Sequence, residues 1–227
     1  MVERVVAIDG VLGSGKTTVA RLVADRLALD YLDTGAMYRC VGLACLFNKV
    51  DLSDFALVEA TARAAHIEVA RTADGTAFVM LEGDDVTADI RTPEVAKTAS
   101  TVATNAGVRA AMVDQQRAWA KRRGGGVLEG RDIATVVFPD AMAKIFLTAD
   151  ADERARRRHM EQSDLTFDQV KADLIWRDEQ DSTREADPLR VADGAIVIDT
   201  TGKSIEEVVK ATVVAVKAAE KGASTTS

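Results

Sequence analysis

Apolar residues recur along this chain in two rhythms, short unbroken runs and longer stretches with helical spacing. Val5-Val-Ala-Ile8, Val127-Leu128-Glu129, Lys144-Ile-Phe-Leu147 and Ala195-Ile-Val-Ile198 read as strands of a covered sheet. A shorter strand is predicted at Tyr31-Leu32. Helices are predicted over Val19–Leu29, from Thr34 towards Phe47, and from about Asp54 to Ala65. Helical spacing returns at Thr92-Pro93 and continues, with a break near Asn105-Ala-Gly107, to Arg123, where Gly124-Gly-Gly126 separates it from the next strand. Three later helices open on cap signatures: Asp150 with Glu153, Thr166 with Gln169, and Ser204 with Glu207. In the last of them Ile205, Val208, Val209, Val213 and Val216 fall on one face, which should pack on the sheet.

One segment breaks the alternation of strand and helix. His66 to Arg71 alternates, Asp74-Gly75 signals a hairpin turn, Thr76 to Glu82 resumes as a strand, and a third extended piece follows near Asp85-Val86. A local antiparallel unit inside a β/α chain reads as an insert, spanning about residues 63–97. The polar residues 222–227 read as a disordered tail.

The first strand leads directly into Gly10-Val-Leu-Gly-Ser-Gly-Lys16-Thr17, which matches G-x-x-x-x-G-K-[ST] and is followed by a helix, as that motif requires. Gly10, Gly13 and Gly15 let the main chain curl so that its N–H groups point inward and converge on an oxyanion. The helix N-terminus beneath adds partial positive charge. Lys16 supplies a full charge to the outer phosphates, and the Thr17 hydroxyl suits the magnesium that accompanies a nucleoside triphosphate. With strands alternating with helices behind such a motif, the expected fold is α/β. It is a parallel, P-loop nucleoside triphosphate hydrolase-like sheet flanked by helices, with a small antiparallel β insert, forming a single domain over residues 1–221.

Composition bounds the possibilities further. The 227 residues are 47% hydrophobic and 29% charged with net charge −7, an ordinary globular balance that lends no support to nucleic-acid or membrane-surface binding. Any anionic ligand must therefore be met by local arginines. Cys40 and Cys45 lie five residues apart in an apolar helix with no histidine nearby, and read as buried free thiols in a reducing compartment. The N-terminus lacks the basic region and apolar core of a signal peptide, and no apolar run reaches membrane-spanning length. A cytoplasmic monomer acting on small molecules is the expectation.

A P-loop alone does not choose among kinase, GTPase and motor. Asn48-Lys-Val-Asp51 and Asp199-Thr-Thr-Gly202 imitate guanine-reading and switch patterns, but in reversed order and at the wrong distance from the P-loop. The arginines are more informative. Arg39, Arg109, Arg131, Arg177 and Arg184 lie in separate elements from which they can converge on a second anion, while the basic helix bearing Arg154 to Arg158 can close over transferring phosphates. Arg156 reads as solvated. Arginine's planar fork suits a phosphate monoester, and two facing phosphate sites describe a phosphoryl transferase whose acceptor is itself a phosphate. Such a reaction needs alignment and charge neutralisation rather than a strong base.

The ordered segments Ile8-Asp-Gly10, Leu32-Asp-Thr-Gly-Ala-Met-Tyr-Arg39, Leu81-Glu-Gly-Asp-Asp-Val86, Ile90-Arg-Thr-Pro-Glu-Val95, Glu129-Gly-Arg-Asp-Ile133, Thr135-Val-Val-Phe-Pro-Asp140, Glu153-Arg-Ala-Arg-Arg-Arg158 and Asp181-Ser-Thr-Arg184 resemble the bacterial cytidylate kinases. The resemblance covers about Val5 to the final helix. It implies transfer of the γ-phosphoryl group of ATP to CMP or dCMP with magnesium. Residues from Gly13 to Thr18 would bind ATP with Lys16 on its phosphates, and Arg154, Arg157 and Arg158 would form a lid over about residues 154–166. It also implies that Thr34, Arg39, Arg109, Arg131 and Asp132 hold the acceptor, that Ser100 contacts the cytosine, and that Asp181 meets the ribose hydroxyls while Arg177 and Arg184 meet phosphate. Catalysis would fall to Lys16, Arg131, Asp132 and Arg157. Val11-Leu12, Thr17 and Ala134 depart from the family pattern, so turnover is expected to differ from its norm. The alternatives are a kinase preferring UMP or AMP, or a catalytically silent nucleotide-binding module.

Overall fold

The computed structural model describes residues 4–71, 77–161 and 165–224. The chain forms two compact units, one of Met1–Tyr31 with Ala120–Ser227 and the other of Leu32–Trp119. The hairpin turn expected at Asp74-Gly75 lies outside the described residues.

The first unit is built on β1 (Arg4–Gly10), whose six inward positions after Arg4 are all buried. A strand covered on both faces needs an unbroken apolar run, which Val5-Val-Ala-Ile8 supplies. α1 (Lys16–Leu27) follows the P-loop, and β2 (Tyr31–Asp33) is where the chain passes from the first unit to the second. After the second unit, β6 (Gly125–Gly130) and β7 (Ala143–Thr148) both pair in parallel with β1, and β8 (Ile196–Asp199) pairs in parallel with β7. The sheet order is β2-β6-β1-β7-β8. The unit is completed by α6 (Ala151–Glu161), α7 (Phe167–Thr183) and α8 (Ile205–Ser224).

One core cluster joins Val6, Ile8 and Ile145 of the strands to Val19, Val23 and Leu27 of α1 and to Val208, Val209 and Val216 of α8. Ile205 departs from the expected apolar face: it is 53% exposed. α8 also continues through Ser224, so the tail boundary expected at Gly222 falls inside the helix.

Parallel pairing fixes where the site must be. Asp9 stands opposite Gly130, so the chain leaving β1 at Gly10 and the chain leaving β6 at Arg131 emerge side by side at the carboxyl edge. Gly10 is required there by close approach, since a Cβ would lie 2.0 Å from the carbonyl oxygen of Leu147. Gly125 and Gly126 belong to β6 rather than to the preceding loop. The missing side chains let that strand pack tightly against β1, where a Cβ on Gly125 would meet the Arg4 backbone at 2.5 Å.

The second unit contains α2 (Thr34–Phe47), α3 (Phe55–Ala64), α4 (Pro93–Val102), the larger part of α5 (Ala106–Arg123), and an antiparallel sheet β3-β4-β5. Its strands are Ile67–Arg71, Ala77–Leu81 and Asp84–Asp85. Asp33 and Asp54 cap α2 and α3 through the N–H groups of Ala36 and Leu57. The side-chain oxygen Oδ1 of Asn105 accepts from the N–H groups of Gly107 and Val108, capping α5 at the break after α4. Cys40 and Cys45 are buried and free, and burial pushes the Cys40 thiol up to about 12, which removes its nucleophilic form at neutral pH.

Candidate active site

The P-loop curls as its glycines demand. Gly15 adopts φ 87° at the N-cap of α1 with no side-chain capping bond, so the first helical N–H groups remain directed into the nest. Lys16 is buried, and its ammonium donates to the Val11 carbonyl at 2.7 Å, a carbonyl that also accepts from Ser14 Oγ at 2.9 Å. Burial, and then the positive charge of Arg131, push the Lys16 pKa down to about 7, against the pull of Glu129, Asp181 and Asp9. An ammonium held this way gains most when an anion enters beside it.

Two carboxylates at the strand ends organise the floor. Glu129 is buried and accepts from Thr17 Oγ1 at 2.6 Å and from the Tyr31 hydroxyl at 3.1 Å. Asp9 accepts from the N–H groups of Ile133 and Ala134 at 2.8 and 2.7 Å. These amides begin a π-helical turn, Ile133–Val137, that periodicity did not signal.

The departing residues Val11 and Leu12 are held by their main chain. Leu12 N–H donates to Asp178 at 3.1 Å, and the Leu12 carbonyl accepts from Arg154 at 2.9 Å. Arg154 also binds the Ala149 carbonyl and pairs with Asp178, so its guanidinium is committed to the wall of the P-loop. Arg157 donates to the hydroxyl and carbonyl of Thr200 at 3.0 and 2.8 Å and to Glu153 at 3.1 Å. The Thr200 hydroxyl in turn donates to the Ser14 carbonyl at 3.2 Å. Arg156 is exposed and pairs within its own helix turn, with Glu153, matching its expected place on a solvated face.

Arg158 is different. Its Nε is buried without a hydrogen-bond partner, and burial followed by the charges of Arg177 and Arg131 holds its pKa below the ordinary guanidinium value. For Arg131, burial disfavours the charge, but Asp181, whose carboxylate accepts from Nε at 2.6 Å, together with Glu129 and Asp178, outweighs it and raises the pKa. Arg177 pairs with Asp173 at 3.0 Å. Arg184, at the C-cap of α7 rather than inside it, lies 4.0 Å from Asp132 and 3.7 Å from Asp181 and donates to the Asp187 carbonyl at 2.7 Å. The first unit therefore brings Arg131, Asp132, Arg158, Arg177, Asp181 and Arg184 together beyond the strand ends, and of these Arg131 and Asp181 act on the charge of Lys16.

The remaining candidates belong to the second unit. Thr34 is buried in the first turn of α2, and Arg39 pairs with Asp33 at 2.8 Å. Asp33 thus caps α2 with one oxygen and orients Arg39 with the other. Arg109 is fully buried with its guanidinium 5.7 Å from the Tyr38 ring centroid, a cation–π arrangement. Ser100 Oγ donates back to the Ala96 carbonyl at 3.2 Å.

Sequence reasoning missed Asp9, Glu129, Asp178 and Thr200 as participants. Asp9, Glu129 and Thr200 stand in segments already noted and Asp178 follows Arg177, but nothing in the spacing says which carboxylate or hydroxyl turns toward the nest.

A parallel sheet with a strand-nest-helix at its carboxyl edge, beside a cluster of arginines, defines a P-loop kinase fold. Solved structures agree at the level of fold. A gluconokinase from Sinorhizobium meliloti 1021 superposes with TM-score 0.53 at 12% identity over 100% of this chain and 98% of that one. TT1252 from Thermus thermophilus gives 0.52 at 18% identity over 96% and 98%. The chain belongs to the cytidylate kinase family: the family model for cytidylate kinase matches residues 6–218. Cytidylate kinases of Bacillus thuringiensis (strain Al Hakam) and Bacillus cereus (strain AH187) are each 46% identical to it over 209 residues, covering 90% of this chain and 92% of the relative.

Proposed function

We propose that this chain, a cytidylate kinase by family, transfers the γ-phosphoryl group of ATP to CMP or dCMP, releasing ADP and CDP or dCDP. The observation that carries the reading within the structure is Arg158, whose buried Nε has no hydrogen-bond partner and whose charge is opposed by burial and by Arg177 and Arg131, against the pull of Glu161 and Asp173. Like charges gathered out of water repel, and a phosphoryl group in transit is the anion that relieves them. In this reading Gly10 to Thr18 bind the triphosphate, with Lys16 on its outer phosphates. Arg157 and Arg158 close over it, and Arg154 serves through Leu12, whose carbonyl it holds. Arg131, Asp132, Arg177, Asp181 and Arg184, with Thr34, Arg39, Ser100 and Arg109 of the second unit, hold the acceptor nucleotide. The acceptor phosphate is ionised at neutral pH and needs no strong base.

The donor set suits magnesium. Among the described residues no group of three histidine, cysteine, aspartate or glutamate side chains forms a metal cage. Magnesium is ordinarily held by one or two protein oxygens with phosphates and water, and Thr17 Oγ1 with Glu129 supplies hard oxygens of that kind beside the nest. Thr17 would hold the ion with the triphosphate and Glu129 would fix the threonine hydroxyl. Bound there, magnesium neutralises phosphate charge. Among the described residues no helix is long and apolar enough to cross a membrane, and the free thiols Cys40 and Cys45 suit the reducing cytoplasm, where we place the reaction.

A coupled assay of ADP release with CMP, dCMP, UMP and AMP in turn tests the reading. CMP and dCMP are expected to be the preferred acceptors. Preference for AMP or UMP would refute the cytosine assignment, and no turnover with any of the four would refute catalysis.

A further inference from the structure

We infer that Asp9 is a positioning residue for the acceptor: its carboxylate, at the end of the P-loop strand, caps the turn that follows Arg131 and Asp132 and holds those two side chains in fixed register with the phosphate nest. The inference rests on the reading of Arg131 and Asp132 as acceptor-holding residues.

The first N–H groups of any helical turn lack partners within it and need an acceptor from outside. In the π-helical turn Ile133–Val137 the residue at the N-cap, Asp132, makes no side-chain capping bond. The acceptor comes instead from a neighbouring strand. One Asp9 oxygen takes the Ile133 N–H at 2.8 Å and the other takes the Ala134 N–H at 2.7 Å, so both oxygens are used and both amides are satisfied. The Asp132 carboxylate itself lies 4.0 Å from Arg184.

The placement of Asp9 makes this more than a local bond. It is 2% exposed, directly precedes Gly10 of the nest, and stands opposite Gly130, which directly precedes Arg131. One side chain therefore ties the first residue of the nest to the turn carrying the acceptor arginine and aspartate. Burial opposes a charge at this point strongly enough to raise the Asp9 pKa to about 7 despite the two N–H donors. A neutral side chain would avoid that penalty, but no uncharged residue of this size offers two acceptor oxygens in one plane. Donor and acceptor phosphates must be aligned to within a fraction of an ångström, and a misplacement of about 1 Å lowers rate by about a hundredfold.

The test is Asp9→Asn, which keeps the shape but turns an NH2 group towards one of the two amides. The full-length variant is assayed for KM of CMP, KM of ATP and kcat, with Arg131→Ala alongside as a direct lesion of the acceptor side. The expected result is a rise of about tenfold or more in KM for CMP, while KM for ATP stays within about twofold and thermal unfolding remains cooperative. Faster amide exchange at Ile133 and Ala134 accompanies it. If Asp9→Asn does not fold, the smaller Asp9→Ser, which leaves room for a water, takes its place with the same readouts. Equal increases in both KM values would mark a purely structural role and overturn the inference. So would an unchanged KM for CMP in a variant where Arg131→Ala raises it. If Arg131→Ala itself leaves KM for CMP unchanged, the acceptor reading fails and the inference with it.

Discussion

The P-loop nest and the basic helix α6 gather positive charge beyond the same sheet edge by opposite means. The nest is main chain. Its donors are N–H groups fixed by glycine geometry, and its one full charge, Lys16, rests on the loop's own Val11 carbonyl. α6 is side chain. Of its four arginines, Arg154 is spent on the P-loop wall, Arg156 faces solvent, Arg157 is tied to Thr200, and Arg158 is held in a buried guanidinium cluster. A backbone site is preorganised and has one arrangement. A side-chain site divides one residue type among structural, idle and reactive tasks, according to what each head group meets.

The contrast can be broken at either end. Lys16→Ala removes the charge on the donor phosphates and should lower kcat by about a thousandfold or more with the fold intact, as steady-state kinetics and melting would show. Arg154→Ala should act on stability instead. It leaves Asp178 and the Leu12 carbonyl without their shared partner, and a loss of about 3 kcal/mol in denaturant unfolding is expected. Arg158→Ala, one turn further along, should reverse that pattern: kcat falls by about a hundredfold while the melting temperature holds, because burial, Arg177 and Arg131 oppose the Arg158 charge while Glu161 and Asp173 favour it.

The nest also predicts a proton linkage. Lys16 titrates near pH 7 when burial and Arg131 oppose its charge, so at pH 8 it is largely neutral. A bound triphosphate favours the charged form and raises that pKa, so binding at pH 8 takes up to about one proton, and the uptake fades below pH 6, where Lys16 is already charged. Calorimetric titration with ATP in buffers of different ionisation heat measures it, and Lys16→Ala should largely abolish it.

Much of this was legible in the residues. The strand runs and the G-x-x-x-x-G-K-T spacing imply a parallel sheet with a nest at its carboxyl edge, because periodicity and glycine placement are local properties. The capping box of Thr166 with Gln169 stands as read, whereas Asp150 accepts from the N–H groups of Asp152 and Glu153 while Glu153 turns to Arg156 and Arg157. What periodicity does not carry is the destination of a long side chain. Arg154 and Arg158 are four residues apart on one helix, and only the approach of Leu12 and Asp178 to the first and of Arg177 to the second separates their roles. Likewise the π-helical turn after Asp132 is held by Asp9, more than a hundred residues away in sequence, a distance over which no local pattern speaks.

The central claim is that a phosphate nest and a guanidinium cluster hold two nucleotides at once. Calorimetric titration with adenosine and cytidine joined through five phosphates tests it most directly. The account predicts binding about a hundredfold tighter than ATP alone, with the gain lost while ATP affinity is kept in Arg131→Ala, and with both the gain and ATP affinity lowered in Arg158→Ala. Binding no tighter than that of ATP, or a gain that survives both substitutions, would contradict it.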